Sequence, residues 1–179
     1  MLYTGKGDNG KTGLFGCDQK FSKSSTITEA LGSLDEVNCY VGICKVYAAD
    51  SLFDISGATL VSIMEDVQNN LFIVQAHVAG ADKKIDPDAV LKLEHLINTV
   101  EKQLPPIKTF LIPGSSKISA HFDFARTLAR RAERRVVAVS EEYPKKIDAE
   151  ILAYLNRLSS LLYACARLTA GTKEHAPTY

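Results

Sequence analysis

Apolar residues recur at alternating steps of four and three in five separate segments, and this repeated spacing most narrows the fold. The first two stripes are Ala30, Leu34, Val37, Val41, Cys44 and Ala48, then Leu60, Met64, Val67, Leu71, Val74 and Val78. The third is Val90, Leu93, Ile97, Val100 and Leu104, and the fourth Ile118, Phe122, Ala125, Ala129, Ala132 and Val136. Ile151, Leu155, Leu158, Leu162, Cys165 and Thr169 form the fifth. At 3.6 residues per turn each stripe stays on one helix face, and no segment shows the period-two alternation of a strand. Five helices sharing this spacing pack nearly parallel, so the fold class is all-α, a left-handed five-helix bundle. With 179 residues, 46% of them hydrophobic, the chain suits a single domain with a sizeable core.

Capping and breaking residues bound the segments. Residues 1–23 carry Gly5, Gly7, Gly10, Gly13 and Gly16, a density that predicts an irregular segment whose backbone can approach a ligand. Thr26 with Glu29 reads as a capping box opening the first helix, and Asp50 to Gly57 as a connector. The second helix ends near Gly80; Asp86-Pro87 opens the third, and Pro105-Pro106 stops it. Ile107 to Gly114 is expected to be extended, with Ser115 or Ser116 capping the fourth helix. Pro144 turns the chain, Asp148 caps the fifth helix and Gly171 closes it. The domain plan is a loop over 1–23, a bundle over 24–171 and a loose tail over 172–179.

Charge points to a small anionic ligand. Lys+Arg and Asp+Glu balance at 21 each, which leaves no global field to gather nucleic acid or anionic lipid. The positive charge is local: Arg126, Arg130, Arg131, Arg134 and Arg135 crowd residues 126–139, where Glu133 is the one acidic residue. Arg126, Arg130 and Glu133 share a stripe with Arg134 at its edge, next to the apolar seam. Like charges four apart cost about 0.2–0.5 kcal/mol each, so a helix needing only solubility would mix signs. Arginine suits forked recognition of phosphate oxygens. Glu133 can orient Arg126 or Arg130, or be a plain intrahelical partner.

Gly5 to Thr12 reads G-K-G-D-N-G-K-T, a formal match to the phosphate-binding P-loop. That loop works between a buried strand and a helix, yet only Met1 to Thr4 precede it and Leu14-Phe15-Gly16 follow. A P-loop kinase or ATPase is therefore a rival reading without its structural context, and a non-catalytic ATP-binding helical sensor is a second. Lys6, Lys11, Thr12 and the backbone donors can still cradle phosphates, jointly with the arginine helix.

No C-x-x-C joins Cys17, Cys39, Cys44 and Cys165, so buried reduced thiols and a cytoplasmic location are expected. The N-terminus lacks the apolar stretch of a signal peptide, and no run is long enough to span a membrane. His77, His95, His121 and His175 show no metal-ligand spacing, so no metal is expected on a protein histidine.

Taken together, these motifs resemble the PduO-type ATP:cob(I)alamin adenosyltransferases. The shared pattern starts with Tyr3, Thr4, Gly7, Asp8, Gly10 and Thr12, then Ser22-Lys23, then Gly32, Asp35, Glu36, Val37 and Asn38. It continues through Phe110 to Gly114, the run Arg126, Arg130, Arg131, Ala132, Glu133 and Arg134, and Tyr154 to Ser159. Gly5-Lys6 departs from the commoner order at that point. The resemblance implies transfer of the 5′-deoxyadenosyl group of ATP to the cobalt of cob(I)alamin or a related corrinoid, with release of triphosphate. It further implies a homotrimer with interface sites, Mg²⁺ carried mainly by ATP phosphates, and a corrinoid reductase upstream.

By that resemblance Thr4, Gly5, Lys6, Gly7, Asp8, Thr12, Gly13 and Lys23 wrap ATP from one chain. Arg130, Arg131, Ala132, Glu133, Arg134 and Asn156 complete the site from a neighbour. Asp35 would pair with Arg126 across the interface, Arg126, Arg130, Glu133 and Asp35 being the candidate catalytic groups. Phe110 would face the corrinoid, although a phenylalanine is as readily core. Cobalt(I) is itself a strong nucleophile, so such a protein supplies placement and leaving-group stabilisation, and needs no Ser, Cys or Lys for attack.

Overall fold

Residues 2–16, 18–144, 146–171 and 175–178 are described by the structure, a computed structural model. Cys17, whose thiol was expected to be buried and reduced, lies outside the described residues.

The apolar stripes become the inner faces of five helices: α1 (Thr26–Ala48), α2 (Leu60–Val78), α3 (Pro87–Gln103), α4 (Lys117–Glu142) and α5 (Ala149–Ala170). Every residue of the α1 and α2 stripes is buried, as is every α5 stripe residue. α5 lies against α4 and α3, while α1 packs on α4 and α2. Pairs along α1 and α4 show that they run antiparallel: Arg135 meets Glu29 near one end, and His121 meets Tyr40 and Tyr47 near the other.

α3 departs from the expected stripe. Leu93, Leu96 and Val100 are its buried residues, whereas Val90, Ile97 and Leu104 are only partly buried. Leu96 and Ile97 are adjacent apolar residues that fit neighbouring seams equally well. The position of α5 decides between them.

Helix ends follow their local chemistry with two corrections. Asp86 accepts from the Asp88 N–H with Pro87 in the first turn, and Ser116 forms a reciprocal capping box with Ser119. The Thr26–Glu29 box does not form: Ser25 is the N-cap residue, without a side-chain cap bond. Glu29 is drawn instead to Arg135 at 3.4 Å, and the Thr28 hydroxyl donates to the Ser22 and Ser25 carbonyls. Asp148 occupies the N-cap of α5, also without a side-chain cap bond.

The glycine-rich segment is less irregular than expected. β1 (Lys11–Gly13) pairs antiparallel with β2 (Lys20–Ser22), and the expected connector before α2 holds β3 (Asp54–Ile55) against β4 (Ala58–Thr59). Phe21 and Leu14 are partly buried against the core, which anchors the first hairpin. Near the C-terminus, Ile112 N–H donates to the His175 carbonyl at 3.0 Å, so the tail is tied down there.

Candidate active site

Two cationic surfaces arise from the local fold. In the N-terminal one, Asp8 N–H donates to the Gly5 carbonyl and Gly10 N–H to the Gly7 carbonyl, giving two successive turns. Gly10, at φ 75°, reverses the chain so that its carbonyl accepts from Lys23 N–H at 2.9 Å. Lys23 lies over Gly7 so closely that a Cβ there would stand 3.0 Å from its Nζ. The hairpin register pairs Lys11 with Ser22 and Gly13 with Lys20, which puts both lysines on one exposed face. Lys20 Nζ lies 3.3 Å from where a Gly13 Cβ would be. Lys20 is thus a phosphate-facing candidate that spacing alone did not single out; hairpin register was the missing signal. Thr12 pairs with Phe21 on the opposite, half-buried face, and its hydroxyl donates to the Gly13 carbonyl. The strand that carries Thr12 is antiparallel and no helix follows it directly, so the P-loop context is absent.

On α4 the arginines divide into two rows. Arg131 pairs with Glu36 and Arg135 with Glu29, both on the α1 side. Arg126, Arg130 and Glu133 turn instead towards α5, where Asn156 Nδ2 donates to Glu133 Oε1 at 2.9 Å. Arg126 has its Nε 3.6 Å from Asp123 Oδ1 of its own helix and its guanidinium carbon 5.6 Å from the Tyr163 ring centroid on α5. That buried Nε has no hydrogen-bond acceptor among the described residues. Arg130 and Arg134 are exposed, and among the described residues neither has an ion-pair partner. Ala132 lies in the core with no exposed surface, so its side chain faces away from this ridge. Asp35 is exposed on α1 and has no contact with Arg126 within the chain.

Beside the ridge opens a cleft of about 780 Å³. Arg126, Arg130 and Asp123 form its α4 wall, Ser159, Ser160 and Tyr163 its α5 wall, and Lys108 to Leu111 its rim. Phe110 is 82% exposed on that rim, which settles the choice between core and surface for this ring. The rim segment has no regular structure, as its prolines require, and Arg167 Nη2 holds it by donating to the Pro105 carbonyl at 3.0 Å. Arg167 is itself buried beneath this segment. A flat apolar surface and a guanidinium pair with spare donors therefore share one cleft.

Burial pushes the Cys44 thiol up to about 12 and Cys165 further up, so both stay protonated in the core. Burial also raises the Tyr154 phenol, and Tyr154 lies on the α2 and α3 side. Among the described residues no group of three or more His, Cys, Asp or Glu is arranged to hold a metal ion.

The glycine-rich face and the ridge do not meet within one chain. Residues 2–16 and 18–23 make no hydrogen bond or ion pair with Arg126, Arg130 or Arg134. Phe15 O lies beside Gly80 at the end of α2, whereas the cleft opens towards the start of α4.

Comparison with known proteins gives this geometry its setting. The cobalamin adenosyltransferase family model matches residues 2–169. The chain belongs to that family. A corrinoid adenosyltransferase PduO of Citrobacter freundii is 36% identical over 173 residues, covering 93% of this chain and 49% of that protein. The chain thus spans about half the length of that relative. The corrinoid adenosyltransferase of Bacillus subtilis is 35% identical over 175 residues, covering 93% of this chain and 85% of that one. Among solved structures, a phenylalanine-to-alanine variant of a PduO-type ATP:corrinoid adenosyltransferase from Lactobacillus reuteri, complexed with cobalamin and ATP, superposes with a TM-score of 0.82. It is 30% identical and covers 95% of this chain and 93% of that one. An arginine-to-lysine variant of the Lactobacillus reuteri protein, complexed with ATP, gives 0.83 at 28% identity, covering 99% of both chains.

Within this adenosyltransferase-family fold, Asp123, Ser160, Tyr163 and Lys108 join the cleft without having been singled out as binding groups. Their signal was three-dimensional: α5 had to be placed against α4 before its outward residues acquired a function. No helix among the described residues is long and apolar enough to cross a membrane.

Proposed function

We propose that this chain transfers the 5′-deoxyadenosyl group of ATP to the cobalt of reduced cobalamin or a related corrinoid. The observation that carries the reading is the shared cleft, with exposed Phe110 on its rim and Arg130, unpaired among the described residues, on its wall. Cobalt(I) of the substrate attacks C5′; a cobalt–carbon bond forms as the C5′–O5′ bond breaks, and the electron pair leaves on triphosphate. The chain's task is to align C5′ with cobalt and to stabilise the charge growing on the leaving group. Among the described residues Arg130 and Arg134 form no ion pair, so their donors are open to phosphate oxygens. Lys11, Lys20 and Lys23 present a second cationic face, with Lys6 and the Thr4–Gly13 backbone beside it.

The two faces lie apart in one chain, so the site is completed between subunits of a homotrimer. Arg126 Nε has Asp123 Oδ1 at 3.6 Å but no hydrogen-bond acceptor among the described residues, and Asp35 of a neighbour is the group that would supply one. Exposed Ile43, Val46, Tyr47, Leu52 and Phe53 provide apolar surface for that assembly. Mg²⁺ would be held mainly through the phosphates, with Asp8 as the acidic donor in the glycine-rich turn, and would neutralise leaving-group charge. Free Cys39, exposed, and free Cys44 and Cys165 support a reducing cytoplasm, where a corrinoid reductase would supply cobalt(I).

Anaerobic incubation with ATP, magnesium and chemically reduced cobalamin tests the reading. Adenosylcobalamin and triphosphate are expected in equal amounts. Nucleotide binding without product would instead mark a sensor and overturn the assignment.

A further inference from the structure

The Asn156 side chain lies between two charged groups of opposite hydrogen-bonding capacity. Arg157 Nη1 donates to Asn156 Oδ1 at 2.8 Å, and Asn156 Nδ2 donates to Glu133 Oε1 at 2.9 Å. A guanidinium only donates and an ionised carboxylate only accepts, so the amide has one satisfactory orientation. Turned over, it would set NH₂ against the guanidinium and C=O against the carboxylate. Arg157 is itself aligned from a third helix, its Nε donating to Glu94 Oε1 at 2.8 Å. The chain Glu94–Arg157–Asn156–Glu133 therefore runs from α3 through α5 to α4. It ends three residues after Arg130 and one before Arg134.

We propose that Arg157, anchored by Glu94, is a positioning residue for the nucleotide. It acts through Asn156, and the inference rests on the adenosyltransferase reading given above. A fixed amide keeps Glu133 leaning towards α5. A released Glu133 sits at i+3 from Arg130 and can swing to pair with it, neutralising a phosphate donor. The second Nδ2 hydrogen of Asn156 also keeps a constant direction, open for a nucleotide acceptor. Arg157 lines a separate recess with Glu94 and Asn98 and is not part of the cleft wall, so its influence passes through its neighbour. The Arg157 and Glu94 side chains are 41% and 37% exposed, so the pair contributes little to folding by itself.

The test is steady-state kinetics of Arg157→Met, which keeps the aliphatic stem, with ATP and reduced cobalamin varied separately. The ATP KM should rise about tenfold, as expected when a charge-assisted hydrogen bond is lost, with the cobalamin KM unchanged. Arg157→Lys, which retains a donor for Asn156 Oδ1, should recover part of that loss. Combined with Asn156→Ala, Arg157→Met should add nothing further, because both act through one amide. Additive losses, or a parallel rise in both KM values with a falling melting temperature, would show a merely structural role and overturn the inference. An unchanged ATP KM in Asn156→Ala would overturn it too. Adenosyl transfer in the unmodified protein and its loss in Arg130→Ala would then still uphold the parent reading.

Discussion

Replacing Arg130 by alanine should make the protein slightly more stable and nearly inactive. The side chain is exposed and, among the described residues, has no ion-pair partner, so its loss removes no stabilising contact. It lies four residues from both Arg126 and Arg134, and relieving two such repulsions returns about 0.4–1 kcal/mol. Alanine's helix propensity adds a few tenths. For a domain of this size that is an upward shift in melting temperature of about 1–4 °C. Activity should move the other way. Removing one preorganised donor to a developing anion typically costs about 10²–10³ in kcat. Differential scanning fluorimetry and the anaerobic transfer assay, run on one preparation, measure both. A melting temperature more than about 3 °C lower, or turnover within threefold of the unmodified protein, would refute the view that the ridge is kept repulsive for a ligand.

Other perturbations separate the remaining parts of the site. Arg126→Ala should lose both activity and assembly, because its Nε has no hydrogen-bond acceptor among the described residues and would find one across the interface; an unchanged sedimentation coefficient would contradict the interface role. Phe110→Ala should fold normally, the ring being 82% exposed, and should impair use of cobalamin while leaving ATP binding intact, as calorimetry with ATP alone can check. Stability should fall as pH rises from about 9 towards 12. Burial raises the folded Cys44 thiol from 9.0 to about 12, so over that window the unfolded chain releases a proton that the folded chain keeps. The slope is up to about 1.4 kcal/mol per pH unit for that thiol, and Cys44→Ala should flatten urea midpoints measured across the range.

The bundle was legible because burial acts along a whole helix: the stripes read on α1, α2, α4 and α5 are buried almost throughout, and a six-residue stripe leaves little freedom in its phase. α3 is the instructive exception, since its choice between Leu96 and Ile97 depended on where α5 would lie. The first hairpin was hidden because its strands are three residues each, too short to show an apolar alternation, and the partial burial of Phe21 and Leu14 anchors them. Thr26 and Glu29 had the spacing of a capping box, but Glu29 found Arg135 on another helix. Local rules failed where a partner distant in sequence offered a better contact.

The same principle sorts Arg130, Arg131 and Arg134, which the resemblance groups at one site. Arg131 and Arg135 meet carboxylates of α1, whereas Arg130 and Arg134 meet none among the described residues. A phosphate arriving at the ridge therefore engages Arg130 and Arg134 without displacing anything. Arg131 can join only by leaving Glu36, and the exposure of that pair keeps the cost within about 1 kcal/mol. On the proposed reading, Glu36 would set how many guanidiniums reach the polyphosphate. Neutralising it in Glu36→Gln should tighten ATP binding in calorimetry at low salt, and the gain should vanish in the double variant with Arg131→Ala. If the gain persisted without Arg131, the α1 carboxylate would be acting through the general field, and the division of the arginines into two rows would carry no functional meaning.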